Sequence, residues 1–199
     1  MNFFWAGIGS RKSPLEIKND CIEIAKFQEK SGGCLRSGGA IGADQFFEEG
    51  VKKKEVFVIR PTKTVGHFHA FDFKVIPTDL QLKALGIAKK YHPVLKHMSG
   101  FEADLLVRNV FQVLGRDLKS PVKEVVCWTP EFSVNGESIS DVSGGTGLAV
   151  RLAVDLNIPV FNLGFEPHLN IFEDRLGTPL EGLRLSTVAP SKIYVKKFI

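Results

Sequence analysis

Cysteine is scarce in this chain of 199 residues, and the three present, Cys21, Cys34 and Cys127, are odd in number, form no CxxC pair and sit inside apolar runs. That pattern disfavours a disulfide scaffold or a cysteine zinc site and predicts reduced core cysteines. Long apolar runs are missing too: nothing approaches the roughly 18 residues that a membrane span requires. In the opening "MNFFWAGIGSRK" the positive charges follow the apolar stretch instead of preceding it, the reverse of a signal peptide. A cytoplasmic protein without membrane association is expected. There is no large excess of one charge, since the formal net charge is +4. Anionic ligands are thus permitted, although a nucleic-acid coat protein would be far more basic. Neither a Walker loop (GxxxxGKS or GxxxxGKT) nor GxGxxG occurs, which disfavours ATP hydrolysis and standard NAD binding.

What is present is an alternation of short β-branched strands and apolar helices, with no internal repeat or low-complexity linker. "FFWAGIG" reads as a strand ending in a glycine turn, and Pro14 after Ser13 opens a predicted helix to about Lys30. "GCLRSGG" is a second strand and turn, "DQFFEEGVKKK" a helix and "EVFVIRP" a third strand. Residues 62–100 have an irregular signal, with a helix predicted around Leu80 to Tyr91. "FEADLLVRNVFQVLG" is a helix, "VKEVVCW" a strand, residues 129–143 a polar loop, and "VSGGTGLAVRLAVDLNIPVFNL" a final turn, helix and strand. Strands alternating with helices predict an α/β fold, a Rossmann-like three-layer sandwich with a mainly parallel sheet.

In such sheets ligands bind outside the carboxyl ends of the strands, and the glycines cluster there. The runs "GIGSR" (7–11), "SGGAIGAD" (37–44) and "SGGTG" (143–147) are expected on one edge of the sheet. Glycine lets main-chain N–H groups approach a ligand, and a following helix adds unpaired N–H groups and its positive dipole end. Gly9, Ser10, Arg11, Ser37, Gly38, Gly39, Asp44, Gly144, Gly145, Thr146 and Gly147 are therefore the candidate anion-binding residues. Arg11 offers a two-pronged grip on phosphate. Asp44 is either an N-cap or the acceptor of a ribose hydroxyl. In the helix "FEADLLVRNVFQVLG", Asn109 falls within the apolar stripe and Arg108 borders it. Asn109 either bonds strand-end carbonyls or joins the ligand, and Arg108 is a candidate to reach the ligand edge.

The segments "AGIGSRKSP", "LRSGGAIGADQFFEEG", "RNVFQVLG" and "SGGTGLAVRLA…IPVFNL", in this order and spacing, resemble the DprA/LOG-type Rossmann superfamily (SLOG), in particular the phage and bacterial proteins labelled DprA-like. The resemblance implies a nucleotide- or phosphate-binding domain over residues 1–164, with residues 165–199 an extension packed on the same domain. It implies as ligand a free nucleotide, a nucleotide-derived signal, or single-stranded DNA held in a DprA-like manner, with no separate cofactor, and a homodimer as assembly. LOG-type phosphoribohydrolases of this superfamily share a PGGxGTxxE motif whose glutamate takes part in cleaving the glycosidic bond. Here Arg151 stands where that carboxylate would be. The alternative function, hydrolysis of a nucleotide N-glycosidic bond, then requires another acid, and Glu48, one helical turn after Asp44, is the candidate. A surface glutamate beside Glu49 is the competing reading.

His67 and His69 lack the further ligands of a metal site, so no metal is expected. Trp5, Trp128 and the aromatic-rich "GHFHAFDF" are candidates to stack a base, Trp128 equally a core residue. The long stretch from Lys63 to Asp79 is expected to wall the base side of the pocket.

Overall fold

A computed structural model describes residues 2–58, 73–130 and 144–181. Among them, β1 (Phe3–Gly9), β2 (Gly33–Ser37), β3 (Lys54–Val58), β4 (Phe73–Val75), β5 (Val125–Trp128) and β6 (Val160–Asn162) form one sheet in the order β4-β3-β2-β1-β5-β6. Every pairing is parallel, with Phe3 opposite Gly33 and Gly9 opposite Trp128. The helices are α1 (Lys18–Lys30), α2 (Ala43–Glu49), α3 (Thr78–Tyr91), α4 (Gly100–Leu114), α5 (Gly144–Asp155) and α6 (Glu166–Leu176).

Period-two alternation divides the strands between two apolar layers. Ala6 and Ile8 of β1 and Val125 and Cys127 of β5 face α3, α4 and α5. Trp5 of β1 and Val126 and Trp128 of β5 face α1, α2 and α6. The protein is a Rossmann-like three-layer sandwich. Trp5 and Trp128 are core residues, and the Trp5 ring meets Phe47 edge-on at 5.6 Å. Gly7 makes room for this packing, because a Cβ there would lie 2.8 Å from Leu35 and Phe47.

Some boundaries differ from the sequence reading. Leu15–Ile17 is a 3-10 turn and α1 begins only at Lys18, so no full helix springs directly from the first glycine turn. α2 stops at Glu49, ahead of Gly50 and the three lysines assigned to it. β4 lies in the stretch read as irregular. Gly144 to Gly147 are the first turn of α5 itself instead of a turn ahead of it. α6 packs on the sheet through Leu169 and Phe172, its Arg175 pairs with Glu124 at 3.2 Å, and the Glu181 N–H reaches Asp20 at 3.0 Å.

None of the three cysteines forms a disulfide, and Cys21 and Cys127 are buried. Among the described residues no helix is long and apolar enough to cross a membrane, and no three or more histidine, cysteine, aspartate and glutamate residues come together in a group that could hold a metal ion. His67, His69, most of the stretch from Lys63 to Asp79, the loop 131–143 and residues 182–199 lie outside the described residues.

Candidate functional site

Strand order reverses beside β1: the chain steps outward from β1 to β4, then returns to place β5 on the other flank of β1. Such a reversal opens a crevice at the carboxyl ends of the two strands. Gly9 and Trp128 form its floor. A Cβ on Gly9 would stand 2.5 Å from the Trp128 carbonyl and 2.7 Å from Ala43, so glycine at this point lets α2 close onto the sheet. The Ser10 N–H donates to the Trp128 carbonyl at 2.9 Å, and the Ser10 hydroxyl accepts the Lys12 N–H at 3.0 Å.

Asp44 ties the first two glycine turns together. Its Oδ1 accepts the Gly9 N–H at 3.1 Å, and its Oδ2 accepts those of Gly38 at 3.1 Å and Ala40 at 3.4 Å. The N-cap of α2 is Gly42, whose φ of 95° suits glycine, so Asp44 does not cap its helix and sits in the first turn facing inward. Main-chain N–H groups that glycine-rich turns offer to an anion are here directed at an anion of the protein's own. Burial pushes the Asp44 carboxyl up from its ordinary range, while Arg108 and the three N–H donors pull it back.

Arg108, 8% exposed, comes from α4 and donates through Nη1 to the Gly38 carbonyl at 2.7 Å. Its guanidinium fills the space beside Gly38, where a Cβ would be 2.6 Å from Cζ. Its Nε has no partner. Burial lowers its proton affinity, Asp44 and Glu48 raise it, and Arg11 lowers it again, so the two guanidiniums lie near enough to repel. Arg11 is exposed, with its main chain 3.1 Å from the Cβ position of Gly42.

Glu48 is no surface glutamate: it is 3% exposed, whereas Glu49 is exposed and paired with Lys18 at 2.8 Å. The Ser37 hydroxyl donates to Glu48 Oε1 in a short hydrogen bond and accepts the Gly39 N–H at 3.2 Å. Burial pushes Glu48 up to about 8, aided by Asp44 and opposed by Ser37 and Lys54. At neutral pH it holds its proton.

Asn109, 6% exposed, sits against the first turn of α5: a Cβ on Gly145 would collide with its amide nitrogen. Gly144 is exposed, Gly145 and Thr146 half-buried and Gly147 buried. The N–H groups of that turn have no partner within the helix. Arg151, two turns on, donates to the Tyr91 carbonyl at 2.7 Å, at the end of α3.

The site thus brings Gly9, Ser37, Gly38, Gly39, Asp44, Glu48 and Arg108 into one buried cluster, with Ser10 and Arg11 above it and Asn109 linking α4 to α5. Sequence reasoning missed Gln112, whose Nε2 donates to Asp44 Oδ2 at 3.4 Å. The signal was its position one helical turn after Arg108, on the same face of α4. It also missed Asn162, whose amide grips the Thr129 main chain at 3.1 and 2.9 Å and holds the ends of β5 and β6 together.

These features define an α/β protein with a switch-point crevice. No protein-family model matches the chain, and no curated protein matches it. Among solved structures it is similar to DNA processing protein A from Helicobacter pylori, described as having a unique single-stranded DNA binding mode. That likeness is at 14% identity and a TM-score of 0.35, covering 86% of this chain and 81% of the other.

Proposed function

We propose that the protein binds a nucleotide or nucleotide-derived ligand through its phosphate, seated between the first turn of α5 (Gly144 to Gly147) and Arg11. One observation carries this reading: Asn109, next in the chain to the buried Arg108, packs against Gly145 in the first turn of α5, and the exposed Arg11 acts on the Arg108 guanidinium as a like charge. An anion between the two guanidiniums relieves that repulsion and gains the N–H groups and dipole of the α5 terminus. The N–H groups of Gly9 and Gly38 are engaged by Asp44, so in this reading the first two turns shape the site while α5 and Arg11 grip the ligand. The resemblance of the glycine segments to the SLOG superfamily agrees with it. The N-glycosidase alternative gains nothing from Glu48, whose carboxyl is 3% exposed.

Thermal shift with AMP, inorganic pyrophosphate and oligothymidylate tests the proposal. A ligand at about 100 times its dissociation constant adds roughly 2.7 kcal/mol. With a net charge of only +4 the response to a mononucleotide is expected to exceed that to the oligomer. If DNA is the ligand, log affinity falls with log salt by about 0.7 for each phosphate neutralised. Binding of AMP to an Arg11→Ala, Thr146→Ala double variant as tightly as to the parent sinks the reading.

A further inference from the structure

Two carboxyls, Asp44 and Glu48, share one buried guanidinium, that of Arg108. The groups that face Glu48 are few. β2 supplies the Ser37 hydroxyl, the turn after it the Gly39 N–H, α2 itself Asp44, and α4 Arg108. β3 supplies Lys54, whose ammonium donates to the main-chain carbonyl of Glu48 at 3.2 Å. From α1, Lys18 reaches Glu49 instead. Glu48 Oε2 is buried without a partner. A second full negative charge here would find Arg108 shared with Asp44, Lys54 held at the main-chain carbonyl, and an oxygen, Oε2, without a hydrogen-bond partner, a deficit that water can make up.

The segment most closely tied to this cluster is the turn Gly38–Gly42. It leaves the sheet at Ser37, and its ties run to the same cluster: Gly38 to Asp44 and Arg108, Gly39 to Ser37, Ala40 to Asp44. We propose that Glu48 is a proton-controlled latch on this turn, closed while the carboxyl is protonated and opened to water when it ionises. Opening also separates the second turn from the first, since Gly38 and Gly9 share Asp44. Burial sets the transition just above neutrality, at about 8. The latch rests on the proposed anion site only for its consequence, weaker phosphate binding at alkaline pH.

Hydrogen exchange of the Gly38 and Gly39 amides, divided by that of the same residues in an unstructured peptide of their sequence, reads the opening between pH 6.5 and 9.5. Base catalysis accelerates both alike, so the ratio isolates opening of the turn. The ratio is expected to rise at least about tenfold from pH 7 to pH 9 in the wild-type chain and to stay level in Glu48→Gln. A flat wild-type ratio, or an equal rise in Glu48→Gln, overturns the latch; should that variant not fold, the wild-type ratio decides alone. AMP affinity measured by calorimetry at pH 7 and 9 is expected to fall as the turn opens. Opening without AMP binding at either pH leaves the latch standing and removes the phosphate reading.

Discussion

Asp44 accepts the main-chain N–H of Gly9 at 3.1 Å across 35 positions of the chain, joining the start of the second helix to the end of the first strand. With Gly38 and Ala40 on its other oxygen, one carboxylate fixes the relative placement of two turns. The glycines there serve packing and internal hydrogen bonding before they serve any ligand.

Replacing Asp44 by alanine strands three N–H donors and leaves Arg108 and Glu48 as the remaining ionisable pair. Removing one member of a buried charge pair typically destabilises by about 3–5 kcal/mol. Asp44→Asn keeps an acceptor for part of the set and is expected to lose less. Urea unfolding of the two variants checks the ranking, and equal losses would mean the carboxylate's charge contributes nothing.

Much of this architecture was legible from periodicity. "FFWAGIG" and "VVCW" are short β-branched or aromatic runs bounded by turns, and alternation sends neighbours such as Val126 and Cys127 to opposite faces. β4 was not legible, because its three residues from Phe73 to Val75 carry too little pattern to separate from the aromatic stretch before them. At the site, glycine content showed where main-chain N–H groups approach an anion but not which anion. That depends on Asp44 turning into the interior, which becomes apparent only when α2 and α4 are packed. The i, i+4 pairs Asp44–Glu48 and Arg108–Gln112 then face one another.

Proton linkage gives Glu48 a second signature, in global stability. Its folded carboxyl titrates near 8 and its unfolded one near 4.5, so the native state holds the extra proton between those values. The stability from keeping that proton is full below about pH 4.5 and is lost as pH rises toward 8, a change on the order of a few kcal/mol. Chemical denaturation across pH 5 to 9 is expected to show this decline in the wild-type chain and a much flatter profile in Glu48→Gln. Parallel profiles would mean that Glu48 is ionised in the native state at neutral pH.

His168 acts at the acid end. Burial lowers its proton affinity to about 4, and its Nδ1 accepts the Asn162 N–H at 2.9 Å, which a protonated ring cannot do. Its folded value is depressed, so the unfolded chain binds the proton first and stability falls as pH drops from about 6.5 toward 4. His168→Gln is expected to be less stable at pH 7 yet to lose less between pH 7 and 5 than the parent. An unchanged acid limb would assign that loss to other groups.

The contact between Asn109 and Gly145 provides the sharpest separation of fold from function. Gly145 is not in the left-handed region, so alanine there meets no backbone strain, only the amide of Asn109. Overfilling a packed contact usually destabilises by about 1–3 kcal/mol, and in Gly145→Ala either the Asn109 amide or the first turn of α5 must give way. If phosphate sits on that turn and the turn shifts, AMP affinity falls with it. Asn109→Ala removes the obstructing amide, so the Asn109→Ala, Gly145→Ala double variant is expected to regain both stability and AMP affinity relative to Gly145→Ala. A double-mutant cycle by denaturant unfolding and calorimetry reads the two quantities separately. Stability restored without affinity would mean that the Asn109 amide itself touches the ligand; affinity unaffected in every variant would mean that the turn keeps its place or that the phosphate lies away from α5.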